Sequence, residues 1–265
     1  PAVAGILIAR LGNASAFVAN GASFVAVIGT LLAITPRPPK PRAAGQRGGG
    51  RARIAEGFAY VRKDRATSAL ITLLTLVTTF VFPFLVVLMV YYVRYTLGVD
   101  DASDLGTLMS TSGLGSLTGS IALLSGSART RRAWLVGAVV GVALGMLGLS
   151  LAHDLAHAVP CSFVLSFSVS SLMGRVSQMI QERVPGELRG RVVSITSLAF
   201  TGVMPFAGMA WSFLVDRLGH GPGYARVMQI SAGAFAVLAL LVVLRAWSTL
   251  VPVDAAPASA SGGPT

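Results

Sequence analysis

Long apolar runs separated by polar, mostly basic connections dominate the chain from residue 15 onward. A helix that crosses the hydrocarbon core of a bilayer, about 30 Å thick, needs roughly 20 predominantly apolar residues. Seven runs of this kind predict membrane spans at 15–34, 66–93, 104–125, 133–152, 158–181, 190–215 and 224–247. Residues 1–9 have the pattern of the end of one further span. The predicted fold class is therefore an all-α membrane protein, a polytopic helical bundle.

Two polar segments interrupt or end this series of spans. Residues 35–50 are rich in Pro, Gly and basic residues, a composition that cannot bury a core and predicts a flexible linker. In 51–65, Ile54, Phe58 and Val61 recur at helical spacing among basic residues. This stretch is either an amphipathic helix on an anionic leaflet or an ordinary solvated helix. The low-complexity tail, 248–265, is predicted to be disordered.

The composition supports the membrane assignment. Hydrophobic residues make up 54% of the chain and charged residues 12%, whereas a soluble domain has about 25% charged residues. A net charge of +11 would suit nucleic acid if the basic residues formed one face of a soluble fold. Here they lie between apolar runs, so the predicted partner is the lipid bilayer and not nucleic acid.

The basic residues also orient the bundle. The connections 35–65, 126–132 and 182–191, with the stretch from Arg245, hold 16 of the 21 Lys and Arg residues. The opposite connections hold four, Arg10, Arg94, Arg217 and Arg226. Because Lys and Arg accumulate in cytoplasmic loops, the richer set and the C-terminus are predicted to be cytoplasmic, in a plasma membrane.

Small residues and prolines within the spans predict how the helices pack. Rows at a spacing of three or four residues occur in two spans, at Gly137, Gly141, Gly145 and Gly148, and at Gly115 and Gly119. Such rows let helix backbones approach closely in lipid. Pro83 and Pro205 each remove a backbone donor within a span, so kinks are expected at both positions.

Two polar helix faces are candidate substrate contacts, each with a structural alternative. Thr72, Thr75 and Thr79 share a face of span 66–93, yet threonines often bond only the carbonyls of their own helix. Ser168, Ser171, Arg175 and Gln178 share a face of span 158–181. Arg175 is either a structural residue that snorkels or pairs between helices, or a cavity residue that faces substrate.

Motifs for enzymatic chemistry are weak. The HDLAH stretch, 153–157, is similar to a zinc-binding H-E-x-x-H helix, but Asp154 replaces the catalytic Glu and only His220 offers a third ligand. It is interpreted as an ordinary loop. The single cysteine, Cys161, excludes an intrachain disulfide. No phosphate-binding loop or nucleophile elbow is present in the sequence, so we expect no enzyme, no metal and no cofactor.

The stretch QERVPGELRGRVV, 181–193, carries a family resemblance. It resembles the turn between two late helices of the major facilitator superfamily, more narrowly of the branch with enterobactin and macrolide exporters. PAVAG, 1–5, resembles the end of that family's fifth helix, and SAFVANGASFVAV, 15–27, its sixth. The loop SGSARTRRAW, 125–134, departs from the family because it lacks the usual Asp.

The resemblance implies a division of the chain and a site. Residues 1–34 would end the N-terminal half, 35–65 would be the central cytoplasmic loop, and 66–247 would be the C-terminal six-helix half of inverted three-helix repeats. We therefore expect a fragment whose missing N-terminal half is its partner. The two polar faces named above would line the substrate cavity between the halves. The loop candidates for gating are Arg129, Arg131, Arg132, Glu187, Arg189 and Arg191.

Two functions follow as hypotheses. The first is secondary active export of small amphipathic molecules of the drug or siderophore type, by alternating access and proton antiport, the antiport being implied only by the resemblance. The second is a half-transporter that no longer transports and has a structural or regulatory role in the membrane. An upstream reading frame with the missing spans would favour export, and a start codon just before Pro1 would favour the alternative.

Overall fold

The structure is a computed structural model that describes residues 13–35, 50–98, 102–125, 131–219 and 222–249. These residues are almost entirely helical. The helices are α1 (Asn13–Ala33), α2 (Gly50–Lys63), α3 (Arg65–Phe80), α4 (Met89–Tyr91), α5 (Ala102–Ala122), α6 (Arg131–Leu151), α7 (Leu155–Arg183), α8 (Gly186–Leu218) and α9 (Pro222–Arg245). Two π-helical turns, Pro83–Val87 and Tyr92–Thr96, flank α4, and a 3-10 turn, Leu123–Ser125, follows α5. The interpretations of residues 1–9, of most of the linker and of most of the tail fall outside the described residues.

The predicted fold class is confirmed as an all-α, multi-pass membrane protein. Within the described residues, five helical segments are long and apolar enough to cross a membrane, Arg65–Val87, Ala133–Leu151, Leu155–Arg183, Gly186–Leu218 and Pro222–Arg245. The other two predicted spans form helices that do not reach this standard. The apolar part of α1 is short, Phe17–Ala33, and α5 carries many Gly, Ser and Thr residues in place of large apolar ones.

The small residues of α5 and α6 bring both helices close to α7. A Cβ on Gly115 would lie 2.5 Å from the Phe163 carbonyl oxygen of α7. On the other side of α7, a Cβ on Gly145 would lie 2.7 Å from the Cα of Leu165, and one on Gly148 would lie 2.6 Å from the Cys161 Sγ. These distances are far below van der Waals contact, so only glycine permits this packing. The predicted Gly rows are confirmed as packing faces except at Gly137, where a Cβ would meet nothing within 4 Å. We call α5, α6 and α7 the small-residue unit.

Serine hydroxyls add hydrogen bonds to the small-residue unit. Ser112 Oγ of α5 lies 2.7 Å from Ser162 Oγ of α7, and one further pair follows farther along, Ser120 Oγ and Ser170 Oγ at 2.8 Å. Ser171 Oγ donates to the Gly119 carbonyl across the same interface at 3.2 Å. Because lipid offers no competing water, such bonds help to hold two helices in register.

The helix that begins at Arg65 breaks at Pro83, as its sequence predicts. Proline has no backbone N–H, so the Thr79 carbonyl loses its helical donor. Phe84 N donates to Val81 O at 3.1 Å instead of continuing the α-helical pattern to Phe80 O. Two carbonyls are therefore left without an α-helical donor in the membrane interior, where an unsatisfied polar group is unfavourable.

Side chains from two other helices satisfy these carbonyls. Trp211 Nε1 of α8 donates to Thr79 O at 2.7 Å, and Ser231 Oγ of α9 donates to Phe80 O at 2.6 Å. The Trp211 ring also packs against Phe84, with ring centroids 5.6 Å apart. The break thus fastens α3 to α8 and α9, and we call residues 79–97 the broken segment.

A kink was also predicted at Pro205, but the helix is not interrupted there. Pro205 lies inside α8, which is continuous from Gly186 to Leu218. One proline removes a single helical hydrogen bond, so the turns on either side can maintain the helix. At Pro83 the chain leaves the α-helix altogether because the freed carbonyls gain donors from α8 and α9.

Three basic segments meet at one end of the bundle, which we call the basic end. The Arg191 guanidinium of α8 pairs with the Glu56 carboxylate of α2, and Arg183 Nη2 donates to Thr249 O at 2.9 Å. A Cβ on Gly57 would lie 3.2 Å from the Arg191 Cβ, so α2 packs closely on the start of α8. The helix predicted at 51–65 is confirmed, and it leaves Phe58 44% exposed.

Candidate functional site

The three threonines of the first candidate face bond within their own helix. The hydroxyls of Thr72, Thr75 and Thr79 donate to the carbonyls of Ser68, Ile71 and Thr75, at 2.8 to 3.0 Å. Thr72 is exposed, and the other two are half-buried. This is the structural alternative weighed for them, although an exposed Thr72 hydroxyl oxygen can still accept a hydrogen bond from a ligand.

The second candidate face is split between burial and solvent. Ser171 is 2% exposed and its hydroxyl donates to α5, while Arg175 is 3% exposed. Arg175 Nη1 donates to Gln178 Oε1 at 3.2 Å, and Gln178 itself is exposed. Because Arg175 is buried inside the bundle, a structural role in helix packing is favoured for it over contact with substrate. Gln178 is then the member of this face that a ligand can reach.

Gln178 lines a polar pocket at the basic end. The pocket has a volume of about 480 Å³ and is lined by Gly174, Ser177, Gln178, Gln181, Glu182 and Arg189. Within it, Gln181 Nε2 donates to Ser177 Oγ at 3.2 Å. Its amides, carboxylate and guanidinium provide both donors and acceptors, so the pocket suits reversible binding of a polar group.

The gating candidates occupy different places. Arg189 lines the polar pocket, whereas Arg191 is directed to Glu56 of α2. Glu187 is exposed in the first turn of α8. Arg131 and Arg132 form the start of α6, and Arg129 lies outside the described residues. The structure therefore brings Gln178 and Arg189 together in one pocket, whose described lining includes none of the three threonines.

Two side chains outside the spans, Tyr60 and Asp154, have pKa values that their immediate neighbours shift. Burial, together with the nearby Asp64 carboxylate, raises the pKa of the Tyr60 phenol in α2 above its usual value. At the start of α7, hydrogen bonds from His157 lower the pKa of Asp154 below its usual value. The His157 backbone N donates to Asp154 Oδ1 at 2.8 Å, so Asp154 caps α7.

This capping role explains the HDLAH stretch. Asp154 and His157 serve the beginning of a helix, and among the described residues no group of three potential ligands could hold a metal ion. His220 lies outside those residues. The stretch interpreted as an ordinary loop is therefore in part the N-cap and first turn of α7.

Several residues of the polar pocket were not chosen from the sequence. Ser177, Gln181 and Glu182 lie beside Gln178 near the end of α7, and Gly174 lies one turn earlier. The signal was present, since Gly174, Gln178 and Gln181 recur at helical spacing on one face. This spacing alone does not predict a site, because residues so near a helix end are usually solvated.

The comparison with known families decides the identity of the fold. The sequence model of the Major Facilitator Superfamily matches residues 1–209, more than half of the chain. The chain belongs to the major facilitator superfamily. Its members are membrane transporters, so the bundle is that of a membrane transport protein. No curated protein and no solved structure matches the chain.

Proposed function

We propose that this major facilitator protein exports small amphipathic molecules of the drug or siderophore type from the cytoplasm. The export is secondary active and uses alternating access and proton antiport. The basic end faces the cytoplasm of a bacterial-type plasma membrane, as the distribution of Lys and Arg favours. The N-terminal half expected from the resemblance completes the substrate cavity.

The observation that carries the proposal is the polar pocket at the basic end of an apolar bundle. An amphipathic molecule needs apolar surface for its body and hydrogen-bonding groups for its polar part. Gln178 and Arg189 supply those groups on two different helices, α7 and α8. A motion of α8 relative to α7 would change the pocket, which suits a site that must release what it binds.

The break at Pro83 supports movement as part of the same mechanism. Discontinuous helices recur in transporters, where unwound backbone is tolerated because neighbouring helices satisfy it. Trp211 and Ser231 meet that need here. Each is a single hydrogen bond that a small rotation of α8 or α9 can break and re-form.

Proton coupling requires an ionisable group that changes its exposure during the cycle. The acidic side chains within the described ranges are exposed or half-buried. We therefore place the coupling group in the expected N-terminal half. Collapse of the proton gradient by a protonophore is expected to abolish export.

The experiment is an efflux assay in a bacterial strain deficient in its own exporters. The natural gene is expressed, the cells are loaded with a panel of amphipathic antibiotics and siderophores, and retention is followed with and without a protonophore. We expect faster loss of at least one class of compound, which stops on addition of the protonophore. Equal retention in expressing and empty-vector cells, at verified membrane insertion, contradicts the proposal.

A matched pair of variants connects the assay to the pocket. Gln178→Leu removes a hydrogen-bonding group from the pocket, and should raise the half-saturating substrate concentration about two- to tenfold, the effect of one lost hydrogen bond. Gln229→Leu makes the same change on α9, away from the pocket residues, and should leave it unchanged. If both substitutions change the half-saturating substrate concentration equally, the pocket does not bind the substrate and this part of the proposal is wrong.

A further inference from the structure

A crevice opens on the side of the small-residue unit where α6 and α7 diverge. The two helices touch at Gly145 and Gly148. At Gly137, two turns closer to the start of α6, a Cβ would meet nothing within 4 Å. The space has a volume of about 400 Å³. Its described walls are formed by Ala133, Trp134, Gly137, Ala138, Phe167, Ser168 and Ser171, the last of which belongs to the second candidate face. This volume is in the range of small-molecule sites, about 300 to 1,000 Å³.

Two hydrogen-bond donors of the crevice have no partner within the described ranges. Ser168 is only 4% exposed, and its hydroxyl lies over Gly141 of α6 without donating to any described group. The Trp134 indole N–H is likewise without an acceptor there. At the broken segment, by contrast, an indole and a serine hydroxyl both have acceptors, Trp211 Nε1 on Thr79 O and Ser231 Oγ on Phe80 O. Trp134 is half-buried, whereas Ser168 is held in the interior, where a hydroxyl without a partner is unfavourable, so the Ser168 hydroxyl marks a place for an acceptor.

The other residues that line the crevice indicate which kind of molecule would fit it. Trp134 and Phe167 present aromatic surface, and Ala133, Gly137 and Ala138 present small apolar surface. None of the described residues that line the crevice is charged. We propose that the crevice binds an uncharged amphipathic molecule with a flat apolar body and a hydrogen-bond acceptor, which enters from the lipid phase.

The depth of Ser168 argues against a phospholipid as the occupant. Ser168 lies beside Gly141, ten residues after Arg131 at the start of α6, or about 15 Å of helix rise. That is near the middle of a hydrocarbon core about 30 Å thick. A phospholipid has only its acyl chains at that depth, and these accept no hydrogen bond. A small molecule with a carbonyl or ether oxygen can reach it.

The test uses benzophenone, which has two aromatic rings, one carbonyl acceptor and no charge, and which cross-links to nearby C–H bonds on irradiation. The purified chain in detergent is irradiated at increasing probe concentration, and the labelled peptides are identified by mass spectrometry. We expect saturable labelling of peptides that contain Trp134 and Phe167. Labelling that is not saturable, or that falls equally on all exposed apolar helices, overturns the proposal.

Matched variants locate the site. Gly137→Leu fills the crevice and should abolish the saturable labelling, whereas Gly233→Leu, at a glycine of α9 with equally open surroundings, should retain it. Ser168→Ala removes only the hydroxyl and should raise the half-saturating probe concentration about two- to tenfold. If Gly137→Leu does not fold, Ser168→Ala decides alone, and wild-type behaviour of that variant overturns the proposal.

A competition experiment separates the contribution of the hydrogen-bond acceptor to binding from that of the apolar ring system. Fluorenone and fluorene share a flat ring system, but only fluorenone has a carbonyl. Fluorenone should displace the probe at a concentration about two- to tenfold lower than fluorene. If the two compete equally while added phosphatidylglycerol displaces the probe, the crevice is a lipid site and the proposal is wrong. Because this assay measures binding and not transport, its result is independent of the proposed export.

Discussion

The small-residue unit and the broken segment join helices by opposite means. In the unit, glycines at 115, 119 and 145 allow backbones to touch, and serine hydroxyls bond across the interface. In the broken segment, Pro83 interrupts the helix, and the Trp211 indole of α8 and the Ser231 hydroxyl of α9 donate to the freed carbonyls. The first interface depends on the absence of side chains and the second on their presence.

This difference shows how one lipid-embedded bundle can contain a rigid part and a part able to move. Backbone contact along several turns can be lost only if two whole helices separate. A carbonyl bonded to one indole N–H can lose that bond by a small rotation of a neighbouring helix. We therefore expect opening motions in the broken segment and not in the small-residue unit.

The largest expected effect comes from overfilling the small-residue unit. Gly145→Ala places a Cβ 2.7 Å from the Cα of Leu165, and should destabilise the fold by about 1 to 3 kcal/mol, as overpacking does. The free energy of unfolding in mixed micelles measures it. Gly137→Ala is the control, because the same methyl group meets open space there. Equal losses in both variants would show that the contact at Gly145 is not decisive.

A comparable test addresses the broken segment. Trp211→Phe keeps an aromatic ring but removes the donor to the Thr79 carbonyl, and should cost about 1 to 3 kcal/mol of unfolding free energy for the unsatisfied buried acceptor. Pro83→Ala restores a backbone N–H that can donate to the same carbonyl. The loss caused by Trp211→Phe should therefore be smaller in the Pro83→Ala background. Additive effects in this double-mutant cycle would refute the role assigned to the indole.

Smaller effects are expected at the serine pair of the small-residue unit. Ser112→Ala or Ser162→Ala should each lower the unfolding free energy by about 0.6 kcal/mol, the mean value for hydrogen bonds between membrane helices. The double variant should lose little more than either single variant, since neither hydroxyl remains unsatisfied. A double variant that loses the sum of both would mean that the two hydroxyls do not bond to each other.

The smallest effect belongs to an ion pair in neither region. Arg191 is 17% exposed and Glu56 59% exposed, so water weakens their attraction, and Glu56→Gln should change the unfolding free energy by about 0 to 1 kcal/mol. The remaining effect should vanish at high salt. Arg191→Glu should disturb insertion or cycling more than substrate choice, and a changed substrate profile at normal insertion would speak against this.

The fold was largely predictable because its signals are local. The length of each apolar run sets a span, and the rows at Gly141, Gly145 and Gly148 mark a face that packs closely. The break at Pro83 was predictable as well, since proline always lacks the donor. The identity of its new partners was not, because Trp211 and Ser231 lie more than a hundred residues away in sequence.

The candidate site was predictable only in part. Gln178 and Arg189 were both selected from the sequence, but their meeting in one pocket depends on how α7 and α8 pack. Arg175 could not be placed, because its helix face borders both the interior and the pocket. The continuity of α8 through Pro205 could not be predicted either, because a proline inside a span is compatible with both a continuous and a broken helix.

Hydrogen exchange of the purified chain in detergent tests the contrast between the two regions most directly. Exchange of each backbone amide reports the free energy of local opening. The account predicts that the amides of Phe84 to Leu88 exchange at least about tenfold faster than those of Gly115 to Gly119, a difference of about 1.4 kcal/mol. Equal rates, or slower exchange around Pro83, would contradict the claim that the broken segment is the part able to move.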